Sequence, residues 1–159
     1  MKLKGIIFDD FVNYKKPCLT LESPCCDFKC DKECGSQVCQ NSPLARAEDI
    51  EADIDELIKS YLNNDITQAI CFQGLEPFDT WQETYAFIHT FRRKYNIKDD
   101  IVIFTGYTEE ELKGRLIQLK TFENIVVKFG RFIPNQEPHF DEVLGINLAS
   151  SNQYARRIS

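Results

Sequence analysis

The 159-residue chain lacks the features that would place it in a membrane, outside the cell or on a nucleic acid. No apolar run approaches the roughly 18 residues that a membrane span needs. The apolar stretch at the N-terminus ends in Asp9 and Asp10, which is not the pattern of a secretory signal. Lysine and arginine number 19 against 25 aspartates and glutamates, so the clustered cations that phosphate contacts need are missing. We therefore expect a cytoplasmic protein that binds neither membranes nor nucleic acids.

Histidine is also scarce, whereas cysteine is abundant. The two histidines, His89 and His139, lie far along the chain from the cysteines that cluster near the N-terminus. Of seven cysteines, Cys18 and Cys71 stand in apolar, strand-like contexts, and we predict that they are buried packing residues. The other five fall within fifteen residues: Cys25, Cys26, Cys30, Cys34 and Cys39. An odd total without an export signal favours a reducing compartment and ligation of a soft metal over disulfides.

The spacing of these five cysteines leaves two kinds of metal site open. Zinc favours four thiolate or imidazole ligands at tetrahedral angles, and the distant histidines argue against a mixed Cys/His site. Iron–sulfur clusters also use thiolates, and a cluster with only three protein ligands keeps one iron open for another molecule. Because five cysteines can supply three or four ligands, spacing alone does not separate zinc from iron–sulfur.

The hydrophobic pattern predicts a single α/β domain over residues 1–159. Short apolar runs predict strands, and runs with helical spacing alternate with them. The strands are expected over residues 4–8, 18–22, 69–72, 101–104 and 125–127, and the helices over about 50–61, after Asp79 and after Thr108. Asp79 with Gln82, and Thr108 with Glu111, have the spacing of helix N-terminal capping pairs. The alternation implies a mainly parallel sheet. Residues 23–43 are predicted to be a loop, here named the cysteine loop, and residues 134–159 have no clear period.

Polar and glycine residues follow each predicted strand. The cysteine loop follows the strand at 18–22, Gly74 and Glu76 follow the strand at 69–72, and Thr105 and Tyr107 follow the strand at 101–104. In open parallel sheets, ligands bind beyond the carboxyl ends of the strands. One edge of the sheet is therefore predicted to gather thiols, glycine turns and a carboxylate.

Several of these segments resemble a known family. Cys26-x-x-x-Cys30, with Phe28 between, followed by Cys39-Gln40-Asn41, resembles the cluster motif of radical S-adenosylmethionine enzymes. Nearly the whole chain resembles one group within them, the activating proteins of anaerobic ribonucleoside-triphosphate reductase. The further matching pieces occur in family order and are residues 10–13, 74–77, 104–112, 130–132 and 150–153.

The chain departs from that family at identifiable positions. Eight residues separate Cys30 from Cys39 where the family usually has two, and Cys34 lies between them. Leu75 replaces the second glycine of the family's turn, and Ala149 replaces another glycine. Cys39 is favoured as the third ligand because Gln40-Asn41 follows it, and a set of Cys26, Cys30 and Cys34 is the alternative.

The resemblance implies a fold, a cofactor pair and an activity. The fold would be a partial (β/α) barrel of the radical S-adenosylmethionine type. Cys26, Cys30 and Cys39 would hold a [4Fe–4S] cluster whose free iron takes the amino and carboxylate groups of S-adenosylmethionine. The cofactor-binding residues would be Val38, Gln40, Asn41, Gly74, Glu76, Thr105, Tyr107, Ser151 and Asn152.

The implied reaction forms a 5′-deoxyadenosyl radical, which removes a hydrogen atom from a glycine of the partner. That partner would be the large subunit of anaerobic ribonucleotide reductase, and the electron donor would be of the flavodoxin type. Two alternatives stand beside this activity. One is a non-catalytic zinc or iron–sulfur interaction module, and the other is an activase of a different glycyl-radical enzyme.

Overall fold

A six-stranded sheet organises the computed structural model, which describes residues 1–159. In chain order the strands are β1 (Lys2–Leu3), β2 (Gly5–Asp10), β3 (Cys18–Ser23), β4 (Ile50–Glu51), β5 (Ala69–Gly74), β6 (Asp100–Phe104), β7 (Ile125–Phe129), β8 (His139–Asp141), β9 (Ile146–Leu148) and β10 (Tyr154–Arg157). The α-helices are α1 (Lys29–Cys34), α2 (Ile54–Leu62), α3 (Trp81–His89) and α4 (Lys113–Leu119). A 3₁₀ segment covers Ser42–Arg46, and a π-helical segment, Thr90–Lys94, extends α3.

The main sheet has the order β10-β7-β6-β5-β3-β2. Its four central strands, β3, β5, β6 and β7, are parallel, and the two outer strands are antiparallel to their neighbours. The sheet stays open at β2 and β10, so it does not close into a barrel. The predicted α/β class with a mainly parallel sheet is therefore confirmed.

The central strands are apolar throughout because both faces of the sheet are covered. On one face, a core of 21 residues joins the strands to the helices through side chains such as Ile58, Phe87 and Leu116. On the other face, nine buried residues form a smaller core under the loop after β2 and the C-terminal segment. Cys18 and Cys71 belong to this smaller core and have no solvent exposure, as their apolar sequence contexts predict.

Three local predictions differ from the structure. Helix α2 begins at Ile54 rather than near residue 50, because the Asp53 side chain accepts a hydrogen bond from the Glu56 amide and caps the helix there. Ile50 instead pairs with Leu3 in a two-stranded ribbon. The cysteine loop contains α1, which the periodicity misses because this short helix buries no residue.

The C-terminal segment, which has no clear period in the sequence, is ordered by tertiary pairing. Strands β8 and β9 form an antiparallel hairpin, and β10 pairs with β7 at the edge of the main sheet. The buried Asp141 carboxylate connects the two parts, since it accepts hydrogen bonds from the amides of Leu144 and Ala155.

None of the helices has the length and apolar character needed to cross a membrane.

Candidate functional site

A cavity of about 430 Å³ lies at the carboxyl ends of the parallel strands. This is the edge at which the sequence predicts that polar residues meet. Nine of the twelve predicted site residues line it: Cys26, Cys30, Cys39, Gln40, Asn41, Gly74, Glu76, Thr105 and Tyr107. The structure thus brings three separate strand ends and the cysteine loop to one place.

The other three predicted residues lie outside the cavity lining. Val38 contributes its backbone amide, which donates to the Asp31 carboxylate at 2.8 Å. Ser151 is exposed and donates to Gln136 at 2.7 Å. Asn152 is also exposed, and its side-chain amide donates to the carbonyl of Arg131, so it supports a segment that lines the cavity.

The thiols of the cysteine loop occupy different environments. Cys26, Cys30 and Cys39 are half-buried and all line the cavity. Cys34 is exposed and lines a second, neighbouring depression together with Glu33 and Cys30. Cys25 is also exposed. Burial raises the pKa of the Cys26 thiol to about 12 and that of Cys30 above its ordinary value, so both are protonated at neutral pH until a metal displaces the proton.

The eight residues between Cys30 and Cys39 are folded so that the chain returns to the cavity. Helix α1 takes up the first part, and Gly35, with a φ of +68°, ends it in the left-handed region. The Asp31 carboxylate then accepts hydrogen bonds from the amides of Val38 and Cys39, at 2.8 and 2.7 Å. The Asp31 side chain therefore holds Cys39 against helix α1, which contains Cys30.

Replacing Asp31 is expected to weaken metal loading. Asp31→Ala removes two charge-assisted hydrogen bonds, which contribute about 1.5–3 kcal/mol each, and releases Cys39 from α1. We expect the iron bound per chain after anaerobic reconstitution to fall by more than half. Asp65→Ala, at an exposed aspartate, is the matched control. Equal iron contents in both variants would show that the Asp31 contacts do not position Cys39.

Glu76 is a buried carboxyl group that joins the ends of β5 and β6. Its side-chain oxygens accept hydrogen bonds from the Thr105 hydroxyl at 2.8 Å, the Gly106 amide at 2.9 Å and the Phe78 amide at 3.1 Å. Burial outweighs these donors and raises the pKa of Glu76 to about 7. The residue is only 4% exposed, so its carboxyl group lies within the wall of the cavity.

The raised pKa of Glu76 predicts a specific pH dependence of stability. Between about pH 4.5 and 7 the folded chain holds a proton at Glu76 that the unfolded chain has lost, so the free energy of unfolding falls as pH rises. The size of that fall is about 3 kcal/mol, and Glu76→Gln removes it. Urea unfolding of the reduced, metal-free proteins across this range measures the effect. Other carboxyl groups titrate in both proteins, so only the difference between the two pH profiles reports Glu76. Parallel profiles for the variant and the parent would contradict the raised pKa of Glu76.

A layer of polar contacts fastens the cysteine loop to the neighbouring strand ends. The predicted helix cap at Asp79 is wrong, because Thr80 occupies the cap position and Asp79 turns toward the loop. The Asp79 carboxylate accepts hydrogen bonds from the Tyr107 hydroxyl at 2.7 Å and from the Asp27 amide at 3.0 Å. The Lys29 ammonium lies 4.2 Å from the centre of the Tyr107 ring.

Arg131 makes a second link between the same parts. Its guanidinium donates to both carboxylate oxygens of Glu111, at 3.0 and 2.6 Å, and its Nε lies 3.2 Å from Glu33 in α1. The hydrogen bond from Arg131 lowers the pKa of Glu111 to about 2. Glu111 also accepts from the Thr108 amide, so the predicted capping contact exists, although the regular helix α4 begins at Lys113.

The loop after β2 also reaches the cavity. The buried Asp10 carboxylate accepts hydrogen bonds from the Thr20 hydroxyl and the Asn13 side-chain amide, both at 2.6 Å, and from the Val12 amide at 2.8 Å. Asn13 lines the cavity, whereas Phe11 and Val12 beside it are 64% and 75% exposed. Asp10 therefore determines how this loop borders the cavity opening.

Lys128 is a cavity residue that the motifs and spacing in the sequence do not single out. It is 7% exposed, and its ammonium donates to the carbonyl of Gly130 at 2.8 Å. Burial lowers the pKa of Lys128 to about 8. The signal in the sequence was a single lysine inside the apolar run of residues 125–129, where a strand covered on both faces rarely carries a charge.

The three thiols at the cavity are soft donors of the kind that iron–sulfur clusters use. The one set of three donor side chains lying within 4.8 Å of one another is Cys26, Asp27 and Asp79, and no set of three thiols meets that limit. Three such donors at one cavity fit an iron–sulfur cluster, which prefers thiolate.

Comparison with known proteins supports the same donor chemistry. No curated protein and no solved structure matches the chain significantly. A family model described as a 4Fe-4S single cluster domain matches residues 19–154, which include the whole cysteine loop and all of the parallel core except the first residue of β3. The chain therefore belongs to the family of 4Fe-4S single cluster domains.

Proposed function

We propose that this chain is a radical S-adenosylmethionine activase, in which Cys26, Cys30 and Cys39 hold a [4Fe–4S] cluster with one iron left open. The observation that carries the proposal is that these three thiols share one cavity with Gly74, Glu76, Thr105 and Tyr107, while Cys34 lies outside it. The open sheet with sequential parallel strands is compatible with the partial (β/α) barrel of that enzyme class. The match to the family of 4Fe-4S single cluster domains supports an iron–sulfur cluster over zinc.

When bound, the cluster would supply one electron to the sulfonium of S-adenosylmethionine, whose cleavage would give methionine and a 5′-deoxyadenosyl radical. The chain's own residues bind and position the reactants. Gly74 lets the backbone turn with a φ of +84°, and its carbonyl accepts a hydrogen bond from the Asn41 side chain, which connects the cysteine loop to the β5 turn. The Glu76 carboxyl, held by Thr105 and Gly106, fixes the distance between the β5 and β6 turns.

The substrate in this proposal is a glycine of a partner protein. The radical would take one hydrogen atom from the glycine Cα, giving 5′-deoxyadenosine and a glycyl radical. Exposed Phe11 and Val12, beside the cavity residue Asn13, provide an apolar border that suits a protein partner. The partner would be the large subunit of anaerobic ribonucleotide reductase or another glycyl-radical enzyme, and a flavodoxin-type protein would supply the electron in the cytoplasm.

The test is S-adenosylmethionine cleavage by the anaerobically reconstituted protein. With dithionite as the electron donor, we expect 5′-deoxyadenosine by mass spectrometry in amounts above those of a matched Cys26→Ser protein. A stable iron–sulfur spectrum without 5′-deoxyadenosine would overturn the activase and leave a non-catalytic iron–sulfur interaction module. Addition of the candidate reductase, followed by electron paramagnetic resonance of the glycyl radical, then identifies the partner.

A further inference from the structure

Lys128 is a buried lysine in the wall of the cavity that Cys30 also lines. It lies in β7 opposite Phe104 of β6, and its neighbours Val127 and Phe129 have no solvent exposure. Burying an ammonium group is costly unless an anion or several acceptors replace the lost water. The structure supplies one acceptor, the carbonyl of Gly130.

The acidic groups around Lys128 form no ion pair with it. No carboxylate oxygen lies within 4.0 Å of its ammonium nitrogen, since Lys128 takes part in none of the thirteen ion pairs. The acid that faces it is Glu76, whose oxygens are occupied by Thr105, Gly106 and Phe78. The lowered pKa of Lys128, about 8, still leaves the ammonium charged at neutral pH.

The Cys30 thiol lines the same cavity as Lys128. Burial lowers the pKa of Lys128, and Glu76 and Cys30 act in the opposite direction. Gly106 lies between Glu76 and Cys30, because a Cβ at Gly106 would be 3.7 Å from Glu76 Oε2 and 3.9 Å from Cys30 Sγ. A cluster bound to Cys30 would therefore lie in the field of the Lys128 ammonium.

We propose that Lys128 is the counter-charge of the iron–sulfur cluster and that it raises the cluster's reduction potential. The inference rests on the proposed function, because it requires Cys30 to be a ligand of the cluster. Three thiolates make the bound cluster anionic, and reduction adds one electron from an external one-electron donor, with no bond made or broken. A fixed positive charge in a water-poor site favours the form with the extra electron. Lys128 thus acts on the reduction potential of the cluster, and it takes no part in bond cleavage.

The experiment is a redox titration of the reconstituted holoprotein without S-adenosylmethionine. Dithionite reduces the cluster, and electron paramagnetic resonance measures the reduced fraction at each potential. In Lys128→Met we expect the ratio of reduced to oxidised cluster at a given potential to fall at least tenfold, which is about 59 mV for one electron. Lys120→Met, at an exposed lysine at the end of α4, is the matched control and leaves the ratio unchanged.

Each outcome of this titration decides the proposal. A change below about twofold in a Lys128→Met protein with full iron content overturns it, and so does a change that appears only after S-adenosylmethionine is added. If Lys128→Met folds but fails to hold iron, recovery of iron in Lys128→Arg supports the counter-charge, whereas no recovery overturns it. The readout needs only the cluster, so failure of S-adenosylmethionine cleavage would leave this result interpretable.

Discussion

Cys39→Ser is expected to abolish cluster assembly, while Cys34→Ser leaves it intact. Cys39 lines the cavity with Cys26 and Cys30, and its amide is fastened to α1 by Asp31. Cys34 is exposed and lies outside the cavity, in an adjoining depression that Cys30 also lines. A serine hydroxyl is a poor ligand for the soft iron–sulfur unit, so loss of one of three thiolates removes the cluster.

The measurement is iron and sulfide content with the visible absorbance of both variants after identical anaerobic reconstitution. Cys39→Ser is expected to retain less than a tenth of the parent's iron, roughly the effect of losing 1.4 kcal/mol or more of binding free energy. Cys25→Ser, at an exposed cysteine of the same loop, is a second control. Loss of iron in Cys34→Ser with retention in Cys39→Ser would establish Cys26, Cys30 and Cys34 as the ligands.

Gly74→Ala is expected to damage both folding and the binding of S-adenosylmethionine. A Cβ at Gly74 would lie 2.9 Å from the Cβ of Glu22 and 2.9 Å from the side chain of Leu44, and the φ of +84° is strained for any residue with a side chain. Strain and overpacking together cost about 3 kcal/mol. Because Gly74 also accepts the hydrogen bond from Asn41, the shift moves the cysteine loop.

Gly114→Ala is the matched control for this substitution. Gly114 lies in α4, where a new Cβ meets no atom within 4 Å, so the same chemical change is expected to stabilise the helix by about 0.5–1 kcal/mol. Urea unfolding of the metal-free proteins measures stability, and calorimetry with the holoproteins measures S-adenosylmethionine affinity, which we expect to fall at least tenfold in Gly74→Ala. Equal stabilities and affinities for the two variants would show that Gly74 has no role in the cavity.

The parts of the fold that the sequence predicts are those in which local pattern and burial agree. Strands β5, β6 and β7 are covered on both faces, so they appear as continuous apolar runs that need no tertiary information. The end of the chain is different, because β10 buries only Ala155 and is stabilised by pairing with β7. Its position depends on a partner that lies far away in sequence.

The candidate site shows the same division. Cysteine spacing predicts a thiol site, but it does not reveal how Cys39 returns to Cys30, since that depends on two hydrogen bonds to Asp31. Asp79 matches the capping pattern, yet the tertiary contacts with Tyr107 and Asp27 prevail over the local one. Pattern analysis identifies which residue types are present, whereas the partner of each polar group is decided by the folded chain.

The central claim is that three thiolates of this chain hold a cluster with one iron free for S-adenosylmethionine. Electron paramagnetic resonance of the reduced holoprotein tests it most directly, with and without S-adenosylmethionine labelled with ¹⁷O at the carboxylate. We predict that the cluster signal shifts when S-adenosylmethionine is added. The ¹⁷O label is expected to broaden this signal or to show a hyperfine coupling to it. An unchanged signal at saturating S-adenosylmethionine would mean that every iron is already ligated by the protein, and the account would be wrong.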